Sequence, residues 1–191
     1  MWAQQLAQRP HGSPATIVEG HKVNYLLLVF GLPGSGKSAL AGRLASRLGA
    51  VRISSDYKRT RLGLRGDYSK DSIDAVYEEM FRVGLERLKE GRPVILDGSF
   101  SSERYRQRAA QVAAEAGVPL RLIRMVANEE VTLARVGRKR HLSEAGPDAY
   151  RLLKEKFDAV SLPHLELDSS RSRPGQLVEA ALEYLKATAE R

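Results

Sequence analysis

The chain has 191 residues, of which 42% are hydrophobic and 28% are charged, a balance ordinary for a globular protein of one domain. It contains no cysteine, which excludes disulfides and thiolate metal sites and favours an intracellular setting. The longest apolar run, residues 25–30, is too short to span a bilayer, and the N-terminus lacks the pattern of a signal peptide. We therefore expect a cytoplasmic protein with no membrane partner.

The chain is basic, because 31 Lys and Arg side chains against 23 Asp and Glu give a formal net charge of +8. Such an excess attracts polyanions, whether nucleic acid or small phosphorylated ligands, and it also serves general solubility. Composition alone leaves both interpretations open.

Short apolar runs alternate with helical patterns after residue 22, whereas residues 1–22 show little periodicity and predict a tail or a linker remnant. Strands are predicted at residues 25–30, 51–53, 94–96, 120–126 and 164–167, and helices at residues 38–48, 73–88, 102–117, 128–140 and 177–185. Ser102 and Asn128 are the predicted N-caps of the third and fourth helices. The alternation predicts one α/β domain over residues 23–191, with a doubly wound, mainly parallel sheet of about five strands.

The segment from Gly31 to Ser38 is a full match to the phosphate-binding P-loop pattern G-x-x-x-x-G-K-[ST], and it lies between a predicted strand and a predicted helix. Glycine backbone lets successive N–H groups point at one anion, Lys37 places a charge on the β- and γ-phosphates, and Ser38 offers a hydroxyl to Mg²⁺. The segment predicts an ATP site made by Gly31, Leu32, Pro33, Gly34, Ser35, Gly36, Lys37, Ser38 and Ala39.

Two absent motifs narrow the class of nucleotide-binding protein. The guanine-reading Asn-Lys-x-Asp of small GTPases does not follow the strand at 120–126, where residues 127–130 read A-N-E-E. Asp97 ends another predicted strand and is followed by Gly98 and Ser99 rather than by the water-activating Glu of motor ATPases. Both absences favour a kinase that transfers phosphate to an alcohol.

A third candidate feature follows the second predicted strand, where Asp56 precedes Arg59 by three residues. An Asp at this edge of an open α/β sheet can accept the proton of an attacking hydroxyl, and Arg59 would lie on the same side of a helical turn. Asp56 can also serve as a helix N-cap, and the two roles are compatible.

Five cationic side chains occur within residues 135–141, where like charges would repel unless an anion lay nearby. A phosphate-clamping lid explains this density, with Gly137 and Gly146 as its hinges. The alternative is a solvated basic face.

In order and spacing, residues 25–185 resemble P-loop kinases of the zeta-toxin and polynucleotide-kinase type. They also resemble the AAA-type ATP-binding domains found fused to aminoglycoside-phosphotransferase-like modules. The resemblance rests on the P-loop, S-D-x-x-R at 55–59, L-D-G-S-F at 96–100 and the Arg-rich segment. It implies that Asp56 is the general base and that Arg59 contacts the acceptor or a phosphate. It further implies that Asp97 supports Mg²⁺ through water, and that Arg135 and Arg138 bind ATP.

We therefore expect an ATP- and Mg²⁺-dependent kinase that phosphorylates a hydroxyl of a small molecule, with Lys37, Asp56, Arg59 and Arg138 as catalytic residues. The alternatives are a polynucleotide 5′-hydroxyl kinase and a non-catalytic, nucleotide-dependent switch. A nucleic-acid acceptor needs aromatic stacking platforms beside basic residues, and Tyr57 and Tyr105 are the only candidates. The small-molecule acceptor is therefore preferred.

Overall fold

A computed structural model describes residues 17–18, 21–22, 24–137 and 146–189 of the chain. Ile17–Val18 (β1) and His21–Lys22 (β2) pair as a short antiparallel ribbon. The rest of the predicted tail at residues 1–22 lies outside the described residues. The remaining strands belong to one parallel sheet.

Five parallel strands form the central sheet: β3 (Leu26–Phe30), β4 (Val51–Ser54), β5 (Val94–Gly98), β6 (Leu120–Val126) and β7 (Leu165–Asp168). Their order is β4-β5-β3-β6-β7, so the first strand of the sheet lies at its centre. The described helices are α1 (Lys37–Leu48), α2 (Ser55–Arg61), α3 (Lys70–Lys89), α4 (Glu103–Glu115), α5 (Glu129–Val136), α6 (Pro147–Glu155) and α7 (Pro174–Ala189). The predicted α/β fold class is confirmed.

The central strand β3 is buried on both faces, which explains why its sequence is apolar without alternation. Leu26, Leu28 and Phe30 point to one face and pack with residues of α3 and α4. Leu27 and Val29 point to the other face and pack with residues of α1 and α7. The sheet therefore separates two hydrophobic cores.

Two of the helices were not predicted. Both α2, with seven residues, and α6, with nine, are short, and each buries a single residue, so neither buries a repeating apolar face. In the predicted fourth helix, α5 ends at Val136 rather than at residue 140, with Gly137 as its C-cap. None of the described helices is both long and apolar enough to cross a membrane.

The N-terminus of α4 is capped by a residue that the sequence did not suggest. Ser102 holds the N-cap position but makes no capping hydrogen bond with its side chain. Its hydroxyl donates to Asp158 Oδ2 over 3.0 Å, and the Glu103 N–H donates to the same oxygen over 2.8 Å. The Asp158 carboxylate, from the segment after α6, thus replaces the predicted cap, whereas Asn128 caps α5 as predicted.

The carboxyl ends of the parallel strands lie at one edge of the sheet. The P-loop follows β3, Asp56 follows β4 in the first turn of α2, and Asp97 is near the end of β5. Ligands of open α/β sheets bind outside this edge. The topology therefore brings the predicted site residues to the same edge.

Gly84 provides a test of the packing between α3 and the sheet. A Cβ built there would lie 3.6 Å from Leu96 Cδ2, an ordinary contact distance, and Gly84 is inside a helix. Gly84→Ala should therefore raise the free energy of unfolding by about 0.5–1 kcal/mol. Urea unfolding followed by circular dichroism measures this change.

Gly117→Ala is the matched variant, for which we expect the opposite change in the free energy of unfolding. Gly117 has a φ of +67°, and no atom lies within 4 Å of its built Cβ, so only backbone strain opposes the new methyl group. It should lower the free energy of unfolding by about 1–2 kcal/mol. If Gly84→Ala instead lowered the free energy of unfolding, α3 would pack too tightly on the sheet to accept the added methyl group.

Candidate active site

The P-loop approaches the end of β6 so closely that its first position admits only glycine. Gly31 has a φ of +144°, and a Cβ there would lie 2.2 Å from the Met125 carbonyl oxygen. Its N–H donates to the Ser99 carbonyl over 3.3 Å, which ties the loop to the segment after β5. Gly36, at a φ of +90°, is the N-cap of α1, so the loop runs directly into the positive end of that helix dipole.

The predicted nucleotide-binding residues divide between the two sides of the loop. A pocket of about 360 Å³ lies beside α1 and α7 and is lined by Gly34, Gly36, Lys37, Ser38 and Ala39 together with Arg135. Gly31, Leu32 and Ser35 instead line a smaller cavity of about 190 Å³ beside α5 and α6. Pro33 is buried within the loop. The larger pocket has the volume of a small-ligand site.

Asp97 is the buried charge at the centre of the site, with only 1% of its surface exposed. The Ser38 hydroxyl donates to its Oδ1 over 3.2 Å, and Arg52 Nε donates to its Oδ2 over 3.1 Å. The Arg52 guanidinium also makes an ion pair with the same carboxylate. These contacts join the start of α1 to β4 and β5.

The Ser38 and Asp97 oxygens fit a magnesium ion that is shared with a nucleotide. Mg²⁺ is usually bound by one or two protein oxygens, by substrate phosphates and by water. Among the described residues no group of three His, Asp or Glu side chains could hold a metal ion alone. A magnesium ion here would therefore depend on the phosphates.

The Asp56 carboxyl lies close to Lys37, at the end of the P-loop, and to Asp97. Burial raises the pKa of the Asp56 carboxyl above its ordinary value, and the nearby Asp97 charge raises it further. Lys37, Arg59 and Arg52 act in the opposite direction, but the pKa stays raised. The N-cap of α2 is Ser54, so Asp56 does not hold the N-cap position that the sequence allowed.

Arg59 is buried and is already engaged by the loop after α2. It donates from Nη1 to the backbone carbonyl of Asp67, and its guanidinium lies 4.5 Å from the centroid of the Tyr68 ring. Its side chain therefore orders the segment between α2 and α3. A direct contact with an acceptor or a phosphate stays a prediction.

Arg135 lies beside the P-loop, where it bonds protein oxygens. It donates to the Gly34 carbonyl over 3.1 Å and to Ser169 Oγ over 2.6 Å. The Ser169 hydroxyl in turn donates to the Ser35 carbonyl over 2.9 Å. Arg135 and Ser169 together hold two carbonyls of the P-loop, so the arginine that was predicted to clamp phosphate also braces the loop.

Arg138, Lys139, Arg140 and His141 lie outside the described residues, so the predicted lid stays a prediction. Of the two tyrosines proposed as stacking platforms, Tyr57 is 52% exposed, but Tyr105 is only 8% exposed and packs on Tyr77. Tyr105 is therefore unavailable for stacking.

Sequence reasoning missed two residues of the site, Arg52 and Ser169. An arginine in a short strand is usually interpreted as solvent-facing, so no local signal pointed to its pairing with Asp97. Ser169 had a weak signal, because it directly follows the last strand at the carboxyl edge of the sheet, as Asp56 follows β4.

A family profile described as an AAA domain matches residues 26–160. The chain belongs to this AAA-domain family. The match begins at β3 and extends beyond α6, so it includes the P-loop, Asp56 and Asp97.

This AAA domain is similar in sequence to two relatives and in structure to one solved protein, among others. An uncharacterized protein of Mycobacterium tuberculosis is 38% identical over 107 residues, which are 50% of this chain and 22% of that protein. A shikimate kinase of Paramagnetospirillum magneticum is 26% identical over 173 residues, 86% of each chain. The crystal structure of the M. tuberculosis APS kinase CysC with AMPPNP and APS has a TM-score of 0.63 at 20% identity and covers 86% of this chain and 96% of that chain. The structural likeness shows the fold.

The contacts of Ser169 predict an effect on nucleotide binding. Ser169→Ala removes the donor to the Ser35 carbonyl and an acceptor of Arg135, so the P-loop should lose part of its preformed shape. Each lost hydrogen bond is worth about 0.5–1.5 kcal/mol, and we expect ATP affinity to fall about 3- to 10-fold. Isothermal titration with ATP and magnesium measures it.

Ser172→Ala is the control for this variant, because Ser172 lines the same pocket, whereas the Ser35 carbonyl accepts its hydrogen bond from Ser169. It should bind ATP as the wild type does. Equal losses in the two variants would mean that Ser169 acts only as part of the pocket wall.

Proposed function

We propose that this AAA domain is an ATP- and Mg²⁺-dependent kinase that transfers the γ-phosphoryl group of ATP to a hydroxyl of a small molecule. The observation that carries the proposal is the position of Asp56, a partly buried carboxylate of raised pKa at the phosphate end of the P-loop. A binding module needs the phosphate cradle alone. An enzyme that uses an alcohol also needs a group to accept its proton.

The reaction follows from these positions. The acceptor hydroxyl gives its proton to an Asp56 carboxylate oxygen, while its oxygen attacks the γ-phosphorus of ATP. The bond from that phosphorus to the β,γ-bridging oxygen breaks, and ADP leaves with the bonding electrons. Lys37 and the N-terminus of α1 stabilise the negative charge of the phosphates. A bound Mg²⁺ would neutralise charge on the phosphates, and the Ser38 hydroxyl and, through water, Asp97 would hold it.

The loop after β5 favours an alcohol over water as the acceptor. Asp97 is followed by Gly98 and Ser99, so no carboxylate stands next to it to activate water. The next acidic residue, Glu103, hydrogen-bonds to Arg106 and Gln107. The active-site carboxylate left to act as a base is Asp56.

The charge distribution supports an acceptor with an anionic group. Between residues 52 and 70 the chain has six Lys or Arg residues and two Asp residues, so this segment contributes +4 of the net +8. It begins on β4 and includes α2, which begins next to Asp56. Two of the six cations are paired with acidic residues outside the segment, Arg52 with Asp97 and Lys58 with Glu79. The other four cations against two Asp leave an excess of +2 that attracts anions to the Asp56 side of the site.

The type of kinase also belongs to the proposal. The family relationship and the likeness to shikimate kinase and to an AMPPNP-bound APS kinase support ATP and a small acceptor. The zeta-toxin and polynucleotide-kinase type rests on the sequence resemblance. A polynucleotide acceptor is less favoured because Tyr105 is buried.

Lys37→Ala tests the nucleotide part of the proposal. The lost ammonium group should weaken ATP binding about 10- to 100-fold, as expected for a hydrogen bond to a charged group, and leave the fold intact. Calorimetric titration measures the affinity. Lys89→Ala, at the exposed end of α3, is the control and should bind normally; an equally unaffected Lys37→Ala would remove the nucleotide assignment.

Asp56→Asn tests the base. The amide keeps the size of the side chain but cannot take a proton, so kcat should fall about 10²- to 10⁴-fold while the Kd for ATP is kept. Turnover is followed as ADP formation in a screen of carboxylate- and phosphate-bearing alcohols, sugars and 5′-hydroxyl oligonucleotides. Asp71→Asn, an exposed residue in the first turn of α3, is the control.

The pH dependence gives a second readout of Asp56. A base must be ionised, and its pKa is raised, so kcat of the wild type should fall on acidification at a higher pH than an ordinary Asp would allow. Asp56→Asn should lose this acidic limb. Wild-type turnover by Asp56→Asn would leave a nucleotide-dependent switch as the better interpretation.

A further inference from the structure

Arg106 is a fully buried cation that neither the P-loop nor Asp56 contacts directly. Its side chain is 0% exposed, and its guanidinium lies beside the stacked Phe30 and Phe157 rings, 5.8 Å and 5.5 Å from their centroids. Each of its five N–H groups has an oxygen acceptor: the Glu103 carboxylate and the backbone carbonyls of Phe100, Ser101, Asp158 and Ala159. A buried guanidinium needs this full set of acceptors.

The carbonyls that Arg106 binds belong to two separate segments. Phe100 and Ser101 are in the loop after β5, and Asp158 and Ala159 follow α6. The Asp158 N–H also donates to the Ser101 carbonyl over 2.9 Å. Arg106 therefore fastens the loop after Asp97 to the segment after α6.

Phe100 is the residue in this loop with the least favourable backbone. Its φ is +42°, and it is the only non-glycine residue of the described chain with a positive φ. Such a conformation is costly for a residue with a Cβ and persists only where its surroundings enforce it. Here Arg106 Nη1 donates to the Phe100 carbonyl over 2.6 Å, and the Phe100 N–H donates to the Tyr77 hydroxyl over 3.0 Å.

The enforced loop is in direct contact with the P-loop. Ser99, next to Phe100, accepts the Gly31 N–H, and Asp97, two residues earlier, accepts the Ser38 hydroxyl. A change at Phe100 would therefore shift the two residues that connect it to Asp97, one of which, Ser99, binds the first P-loop glycine. Displacements of about 1 Å in such supporting segments can cost about 100-fold in rate.

We propose that Arg106 is a positioning residue for phosphoryl transfer. Arg106 binds the Phe100 carbonyl while Tyr77 binds the Phe100 N–H, and together they hold Phe100 in its left-handed conformation and fix the segment Asp97–Ser101 against the P-loop. Arg106 acts on the rate of transfer more than on nucleotide affinity, because it lies outside the pocket beside α1 and α7. The inference rests on the proposed kinase function.

Arg106→Lys tests the inference, because it keeps the charge but offers three donors from one point instead of five in a plane. At least two of the five oxygens lose their donor. We expect kcat for ADP formation, with the acceptor from the screen and with water, to fall about 10- to 100-fold. The Kd for ATP should change much less than kcat does, at a temperature where the variant is folded.

Arg108→Lys is the matched control, two residues further along α4, where the side chain is one-third exposed and pairs with Glu115. It should keep the kcat of the wild type. Tyr77→Phe is the second variant, because it removes the oxygen that accepts the Phe100 N–H and keeps the ring. It should lower kcat in the same way, and its kcat tests the inference if Arg106→Lys does not fold.

The double variant separates positioning from general stability. If both side chains act through Phe100, Arg106→Lys with Tyr77→Phe should lose less than the product of the two single losses. If they only stabilise the fold, kcat per folded molecule should match the wild type in every variant. That result, or fully multiplicative losses, would overturn the inference.

The outcome is distinguishable from a failure of the proposed function. If wild type turns over ATP and Asp56→Asn does not, while Arg106→Lys and Tyr77→Phe keep full kcat, only the role of Arg106 is wrong. If wild type forms no ADP with any acceptor or with water, the kinase proposal fails and this inference fails with it.

Discussion

The site depends on one buried carboxylate, Asp97, because a charge taken out of water must be matched by partners in fixed positions. The partners are the Arg52 guanidinium on β4 and the Ser38 hydroxyl at the start of α1. The ends of two strands and the first turn of a helix therefore have one relative arrangement. In the proposed ATP site the same arrangement holds Ser38 next to the phosphates, so one set of contacts would meet the electrostatic requirement of the fold and that of nucleotide binding.

Much of this architecture could be predicted because its signals are local. The strand Leu26–Phe30 is apolar throughout, as a strand buried on both faces must be, and the P-loop pattern depends on backbone that only certain residues allow. The same holds for the helix predicted over 73–88, whose apolar residues recur at helical spacing and which the structure extends to 70–89. Asp56 could be singled out because it lies two residues after a strand, at the carboxyl edge.

The contacts that brace the site could not be predicted, because each joins residues far apart in the sequence. Arg135 reaches the Gly34 carbonyl across 101 positions, and Arg52 reaches Asp97 across 45. No periodicity or spacing encodes such pairs. The cap of α4 follows the same rule: Ser102 had the right local chemistry, yet Asp158, 56 positions later, supplies the oxygen.

The bond from Ser169 to the Ser35 carbonyl spans 134 positions of the chain, and this has a consequence for synthesis. A ribosome completes the P-loop motif long before it adds the residue that holds the loop in shape. The nascent polypeptide therefore carries the whole signature of a nucleotide site without the bracing that finishes it. A polypeptide interrupted before β7 would still match the motif, but its loop would lack the Ser169 contacts to Ser35 and Arg135.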